Sequence, residues 1–278
     1  IDEIEQLLTF AVDTGGCVNN PQQANHLCRQ IIEGADLLVG MDARISNLTL
    51  QTLEHWRQEK TYDIYTQSKV KPFKDHHFTF VDSLTTAVDR VREAVEQGKR
   101  VAVVSEKSRS GKKGLEALKN YIEQVTGKKG WAVDRLNRDD KISTKYINET
   151  GYLEKQLKEG AISHIWVSPV LQSAWSYKTD EHPFDMVVGI YPDTTLTAPN
   201  IIQHIKRFRN TTNFVMYINQ HQRWRPSDIY KKMFPPQELT PKLAEELGEF
   251  NVRHKLHDYW EAIQLSNRFA HFLEEIVN

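Results

Sequence analysis

The chain has 278 residues, 39% of them hydrophobic and 26% charged: room for two modest domains with cores of their own, in an ordinary globular balance. Its formal net charge of −1 at pH 7 excludes a histone-like or tail-driven attachment to nucleic acid, but leaves room for a locally basic groove. No apolar run approaches the ~20 residues that span a bilayer, so no membrane partner is expected.

The chain opens Ile1-Asp2-Glu3-Ile4 without an initiator methionine, which reads as a fragment or a processed product. Ile4 to Val12 is expected to be helical. Pro21 begins a second helix that Gly34 ends, with proline early and glycine late as helix punctuation. Leu37 to Met41 is a short, continuously apolar run of the kind buried parallel strands use, and Thr49 to Trp56 follows as helix. The polar segment Thr66 to Asp75, with Lys69, Lys71, Pro72 and Lys74, reads as a linker. A regular series follows: strand Phe78–Val81, helix Ser83–Gln97, strand Arg100–Val104, helix Gly111–Thr126, strand Trp131–Val133, helix Lys145–Glu159, strand Ile162–Val167, strand Phe184–Ile190, helix Ala198–Phe208 and strand Phe214–Ile218. Strands alternating with helices of 10–15 residues predict a parallel sheet covered on both faces, with ligands at the carboxyl ends of the strands. Beyond Gln220 the strand signals stop, and Thr240 to Val277 reads as helix. The expected division is therefore 1–68, 69–222 and a helical extension over 223–278.

Two cysteines, Cys17 and Cys28, form no CxxC pair and have no histidine cluster beside them, so two thiols in a reducing compartment are expected. Asn-x-Ser/Thr triplets at Asn47, Asn148 and Asn210 carry no weight without a secretory context.

Five segments can carry chemistry. Asp2-Glu3 is an acidic pair of the kind that holds Mg²⁺ through its aspartate and orients water through its glutamate, although early acids also suit any helix start. Val39 to Ile45 is a strand running into a polar turn, where Asp42 can couple two sites or cap a helix. Ser105-Glu106-Lys107-Ser108, with Arg109, Lys112 and Lys113, sets hydroxyls and cations between a strand end and a helix start, a good place for phosphate oxygens or a solvated basic loop. It is not a P-loop: Gly111-Lys112 lacks the glycine five residues earlier, where Glu106 stands. Ser168 to Tyr177 offers Ser168, Gln172, Ser173 and Ser176 with Trp175, which can stack on a base or pack. Gln203, Lys206 and Arg207 are spaced to share a helical face, with Arg209 just beyond, a spacing that suits an arginine finger or cations at a helix end.

The order of these segments resembles motifs II to VI of superfamily-two helicases over residues 1–219, and is most similar to the replication-origin-binding helicases of herpesviruses and the cyanobacterial-type plasmid replication proteins. Met41-Asp42-Ala43, Ser168 to Ser176 and the Gln203-x-x-x-Arg207-x-Arg209 spacing carry the likeness. It implies an α/β fold: a RecA-like parallel-sheet domain preceded by the rear part of another, with a helical C-terminal extension. It implies an ATP-dependent helicase with ATP and Mg²⁺ as cofactors. Asp2 and Glu3 would serve metal and water, while Gln203, Arg207 and Arg209 would reach the nucleotide across a domain cleft. Asp42, Ser105, Lys107, Ser168, Gln172 and Ser176 would line the nucleic-acid path or couple it to the cleft. Single-stranded or origin DNA and other replication proteins are the implied partners, in the bacterial cytoplasm or, for a viral protein, the nucleus. Ala174 stands where the family has a motif V glycine, Ser173 where a threonine is usual, and Arg44 replaces a small residue of motif III. No GxxxxGK[ST] sequence occurs in the chain, so weak ATP binding and no useful hydrolysis are expected of this polypeptide by itself. A non-catalytic α/β module binding nucleic acid or a partner is the alternative.

Overall fold

The structure is a computed structural model that describes residues 4, 7–8, 21–40, 47–58, 63, 65, 73–106, 114–134, 139–149, 151–169, 177, 184–193, 196–219 and 267–277. The chain divides into two compact units, Ile1–Val70 with Pro236–Asp258 and Lys71–Pro235 with Tyr259–Asn278.

In the first unit, helix α1 (Pro21–Gly34) lies against α2 (Asn47–Arg57) around Ile4, Leu8, Cys28, Ile32 and Trp56. The carbonyls left over at the end of α1 are satisfied by Arg57, whose Nη1 donates to Ile32 O at 3.0 Å and Ala35 O at 2.7 Å. Burial raises the Cys28 thiol above its ordinary pKa, as expected of a cysteine acting as a small core residue. The expected strand Leu37–Met41 is not formed over its described residues, 37–40. Leu38 packs inward, but Leu37 is 80% and Val39 56% exposed. A parallel strand needs a hydrogen-bonded neighbour, and no strand is described in this unit to supply one.

The second unit is an α/β domain with a six-stranded sheet. Its elements are β1 (His77–Phe80), α3 (Leu84–Glu96), β2 (Val101–Ser105), α4 (Leu115–Thr126), β3 (Gly130–Val133), α5 (Lys141–Asn148), α6 (Tyr152–Lys158), β4 (His164–Val167), β5 (Met186–Tyr191), α7 (Ala198–Ile205), β6 (Asn213–Ile218) and α8 (Arg268–Val277). The strands run in the order β1-β6-β5-β2-β4-β3, and every described pairing is parallel. Side chains alternate between the two faces, as the pleat requires. Val101, Val103, Trp166, Val188, Ile190 and Val215 meet α3 and α4 on one side. Ala102, Val104, Ile165, Val167, Val187, Phe214 and Met216 meet α5, α6, α7 and α8 on the other. The central strands are buried on both faces, hence their unbroken apolar runs.

Three expectations about this unit change. Lys145–Glu159 is not one helix: α5 ends at Asn148 and α6 begins at Tyr152, because Gly151 takes a left-handed backbone (φ 77°) that a continuous helix cannot hold. The helix from Ala198 stops at Ile205 rather than Phe208, for reasons given below. The stretch assigned to a linker ends in structure: Phe73 is buried, with its ring edge-on to Phe78 at 5.3 Å and to Phe214 at 6.5 Å.

Candidate functional site

The parallel sheet gives the unit two chemically different edges. At the carboxyl edge, Ser105 closes β2 and Ser168 follows β4. These strands are in register up to Val104–Val167, so the two serines occupy adjacent strand ends. Both are buried, and the Ser168 amide donates to Val133 O at 3.1 Å. Next to Ser105, the Glu106 carboxylate accepts from Arg268 Nη1 at 3.1 and 3.3 Å and from the Asp193 amide. Arg268 Nη2 donates to Tyr191 O at 2.8 Å, an oxygen that also accepts from the Asn219 amide at 2.9 Å. Asn219 Nδ2 donates to Pro192 O at 2.9 Å. The ends of β2, β5 and β6 and the start of α8 are thus tied by polar contacts.

Tyr191 leads from this edge into the core, its hydroxyl 3.3 Å from His204 Nδ1 on α7. Burial pushes the His204 pKa down to about 3, with the nearby Arg207 charge lowering it and a hydrogen bond with the Ser168 backbone raising it. The imidazole is therefore neutral at physiological pH, and its role is to join α7 to β5 and to the turn after β4 rather than to carry charge. Burial, followed by the Glu106 charge, raises the Tyr191 hydroxyl well above its ordinary pKa, so it too remains neutral.

The arginine segment lies at the other edge. Helix α7 runs back along the sheet, and after Ile205 the chain tightens into a turn, with Arg207 N donating to His204 O and Phe208 N to Ile205 O. Phe208 is drawn into the core, edge-on to Phe184 at 5.4 Å, and pairs with Tyr177 through Tyr177 N to Arg207 O at 2.7 Å and Arg209 N to Tyr177 O at 3.2 Å. Burying Phe208 against Tyr177 and Phe184 is what ends the helix. Phe184 precedes β5, and Thr211, which donates to Phe184 O at 3.3 Å, precedes β6; the turn therefore sits at the amino edge of the sheet. Gln203 is on α7 and half-buried, Arg207 is half-buried in the turn, and Arg209 is exposed. They do not share one helical face, because only Gln203 is helical. Among the described residues Arg209 has no ion-pair partner, so its guanidinium is available to phosphate oxygens.

Of the candidate residues, Ser105 and Ser168 come together at the carboxyl edge, and Arg207 and Arg209 at the amino edge, each flanking Phe208. The two sets are separated by the strand length, about 15–20 Å. Asp2, Glu3, Asp42, Lys107, Gln172 and Ser176 lie outside the described residues. Among the described residues no group of three or more His, Cys, Asp or Glu is placed to hold a metal ion. The expected Mg²⁺ ligand is Asp2.

Sequence reasoning missed Arg268, His204 and the part Glu106 plays. Arg268 had a signal: it falls four and eight residues before Phe272 and Ile276, on the apolar stripe of α8, where a lone cation must find a buried partner. That the partner is Glu106, 162 residues earlier, no local pattern reveals.

No protein-family model and no curated protein matches the chain. Among solved structures, the chain is similar to the DUF1998 helicase MrfA bound to DNA (15% identity, TM-score 0.46) and to MrfA bound to DNA and AMPPNP (14% identity, TM-score 0.44), in each case over 85% of this chain and 32% of that one. It is also similar to the NS3-like helicase from Alongshan virus (11% identity, TM-score 0.34), over 53% of this chain and 38% of that one. The chain spans about a third of the length of these proteins, and the TM-scores are too low to assign it to any of them.

Proposed function

We propose that this chain is part of an ATP-dependent nucleic-acid helicase, in which the second unit meets nucleotide phosphates with one edge of its sheet and single-stranded DNA with the other. The observation that carries the reading is the separation just described: cations at the amino edge, and strand-end hydroxyls followed by Lys107 and the Ser168–Ser176 segment at the carboxyl edge. A rigid parallel sheet between two such edges is the simplest device for turning a change at one into a displacement at the other. The order of the sequence motifs supports the same assignment, and it alone supports the finer one, a replication-initiation motor of plasmid or viral type.

In this reading Arg209, with Arg207 beside it, stabilises the charge that develops on a transferring phosphoryl group. Gln203 anchors the helix that carries them, and Asp2 and Glu3 hold Mg²⁺ and orient water. ATP, when bound, supplies the phosphoryl group whose hydrolysis drives the cycle. Asp42, Ser105, Ser168, Gln172 and Ser176 line or couple the DNA path, with Lys107 contacting phosphate. The test is DNA-stimulated ATP hydrolysis by the full protein and its Glu3→Gln and Arg209→Ala variants. Both should lose at least ~10²-fold in kcat, in keeping with the loss of a group that acts in the transition state. Wild-type turnover in both would remove the nucleotide assignment. If DNA still binds in that case, the alternative of a non-catalytic nucleic-acid module takes its place.

A further inference from the structure

We propose that Glu106 and Arg268 form a buried latch that positions the chain where it leaves β2, so that the C-terminal helix α8 controls nucleic-acid binding at the carboxyl edge. This rests on the reading that residues following β2 meet the DNA strand.

Glu106 is the first residue beyond β2, and its side chain is wholly buried, as is all but 2% of that of Arg268. Its carboxylate joins three separate pieces of chain: the end of β2, the Asp193 amide after β5, and the first turn of α8, which itself reaches Tyr191 O. The next residue is Lys107, whose Cα is held about 3.8 Å from that of Glu106 by covalent geometry. Anchoring Glu106 therefore fixes the origin of a segment bearing Lys107, Arg109, Lys112 and Lys113.

Stability alone does not call for this pair. Two charges removed from water gain little over apolar groups of the same size. Arg268 Nε is in addition buried with no hydrogen-bond partner, a cost that a neutral replacement would not carry. The latch has an electrostatic effect as well. An unpaired Glu106 carboxylate would sit beside Lys107 and repel phosphate, and Arg268 cancels it. In a chain of net charge −1, phosphate attraction must be local, so both the place and the sign of these groups matter.

The experiment uses the full chain and a fluorescein-labelled oligothymidine, with anisotropy measured over a range of salt concentrations, melting temperature in parallel, and hydrogen exchange at the Asp193 amide. The variant Glu106→Gln with Arg268→Met is neutral and of similar volume, so it removes the latch without leaving a buried charge. It should melt near wild type, exchange faster at Asp193 and bind roughly tenfold more weakly. Arg268→Lys keeps the charge but cannot span both Glu106 and Tyr191 O, and should fall between the two. Wild-type affinity in the double variant, with its fold intact, overturns the latch and leaves the DNA reading standing. Should the double variant fail to fold, wild-type affinity in Arg268→Lys overturns it equally. No salt-dependent binding by the unsubstituted chain overturns the DNA reading, and the latch with it.

Discussion

At the amino edge of the sheet, rings pack against rings: Phe78 stacks on Phe214 at 4.9 Å, His76 on Phe214 at 5.5 Å, and Tyr177 and Phe208 stand edge-on to Phe184. At the carboxyl edge the contacts are polar and directional, running from Glu106 through Arg268 to Tyr191 O, with Asn219 and the Asp193 amide closing the set. Aromatic packing tolerates small shifts, because its energy is spread over many weak contacts. A buried polar network has no such latitude, since one missing partner leaves another group uncompensated. The edge that presents cations for a nucleotide is therefore built to give slightly, and the edge assigned to DNA is built to keep one shape.

The largest effect that would test this contrast is Arg268→Met alone, expected to cost about 3–5 kcal/mol in denaturant unfolding because Glu106 remains buried without its partner. A cost under ~1 kcal/mol would mean that the carboxyl edge is as forgiving as the other. Phe208→Ala follows, at about 3 kcal/mol, the lower end for a buried ring because neighbouring aromatics can close over the space; it should also let the arginine turn fray, visible as faster amide exchange at Arg209. Third comes acid sensitivity, to which each edge contributes one buried histidine. His164, next to Lys128 O, is held down to about 4 and His204 to about 3, against an ordinary 6.5. Between those values and 6.5 the unfolded chain binds protons that the folded chain does not, so stability is full above 6.5 and falls as pH drops toward 4 and then 3. His204→Asn should flatten that fall while His164 keeps part of it, and an unchanged pH profile would sink the assignment of His204 as neutral. The smallest effect belongs to neither network: Ser83→Ala removes the side-chain cap on Thr86 N and should cost about 1 kcal/mol without altering binding at either edge.

Much of the fold could be read from local chemistry. The β2, β4, β5 and β6 runs are apolar because both faces are covered, and Pro21 with Gly34 delimited α1. Where expectation failed, the deciding partner was remote or a single backbone angle. Leu37–Val39 has the composition of a strand but no described neighbour to pair with. Gly151 splits a helix that residue propensity would have continued. Phe208 is pulled off α7 by Tyr177 and Phe184, which lie at least 24 positions away in sequence. The candidate site was legible to the same degree. Hydroxyls after β2 and β4 follow from the rule that parallel sheets carry their ligands at strand ends, whereas the placement of the arginines at the opposite edge depends on the direction of α7. The Glu106–Arg268 contact was invisible, because nothing near either residue names the other.

The distance between those two residues along the chain sets an order of events during synthesis. β1 pairs only with β6, so its ladder stays open until residues near Asn213 have left the ribosome. Glu106 waits longer still, for Arg268, which at about 5–20 residues per second emerges roughly 10–30 s afterward. For that interval the nascent sheet carries a carboxylate with no guanidinium to meet it, and the last turn of translation is what closes the edge.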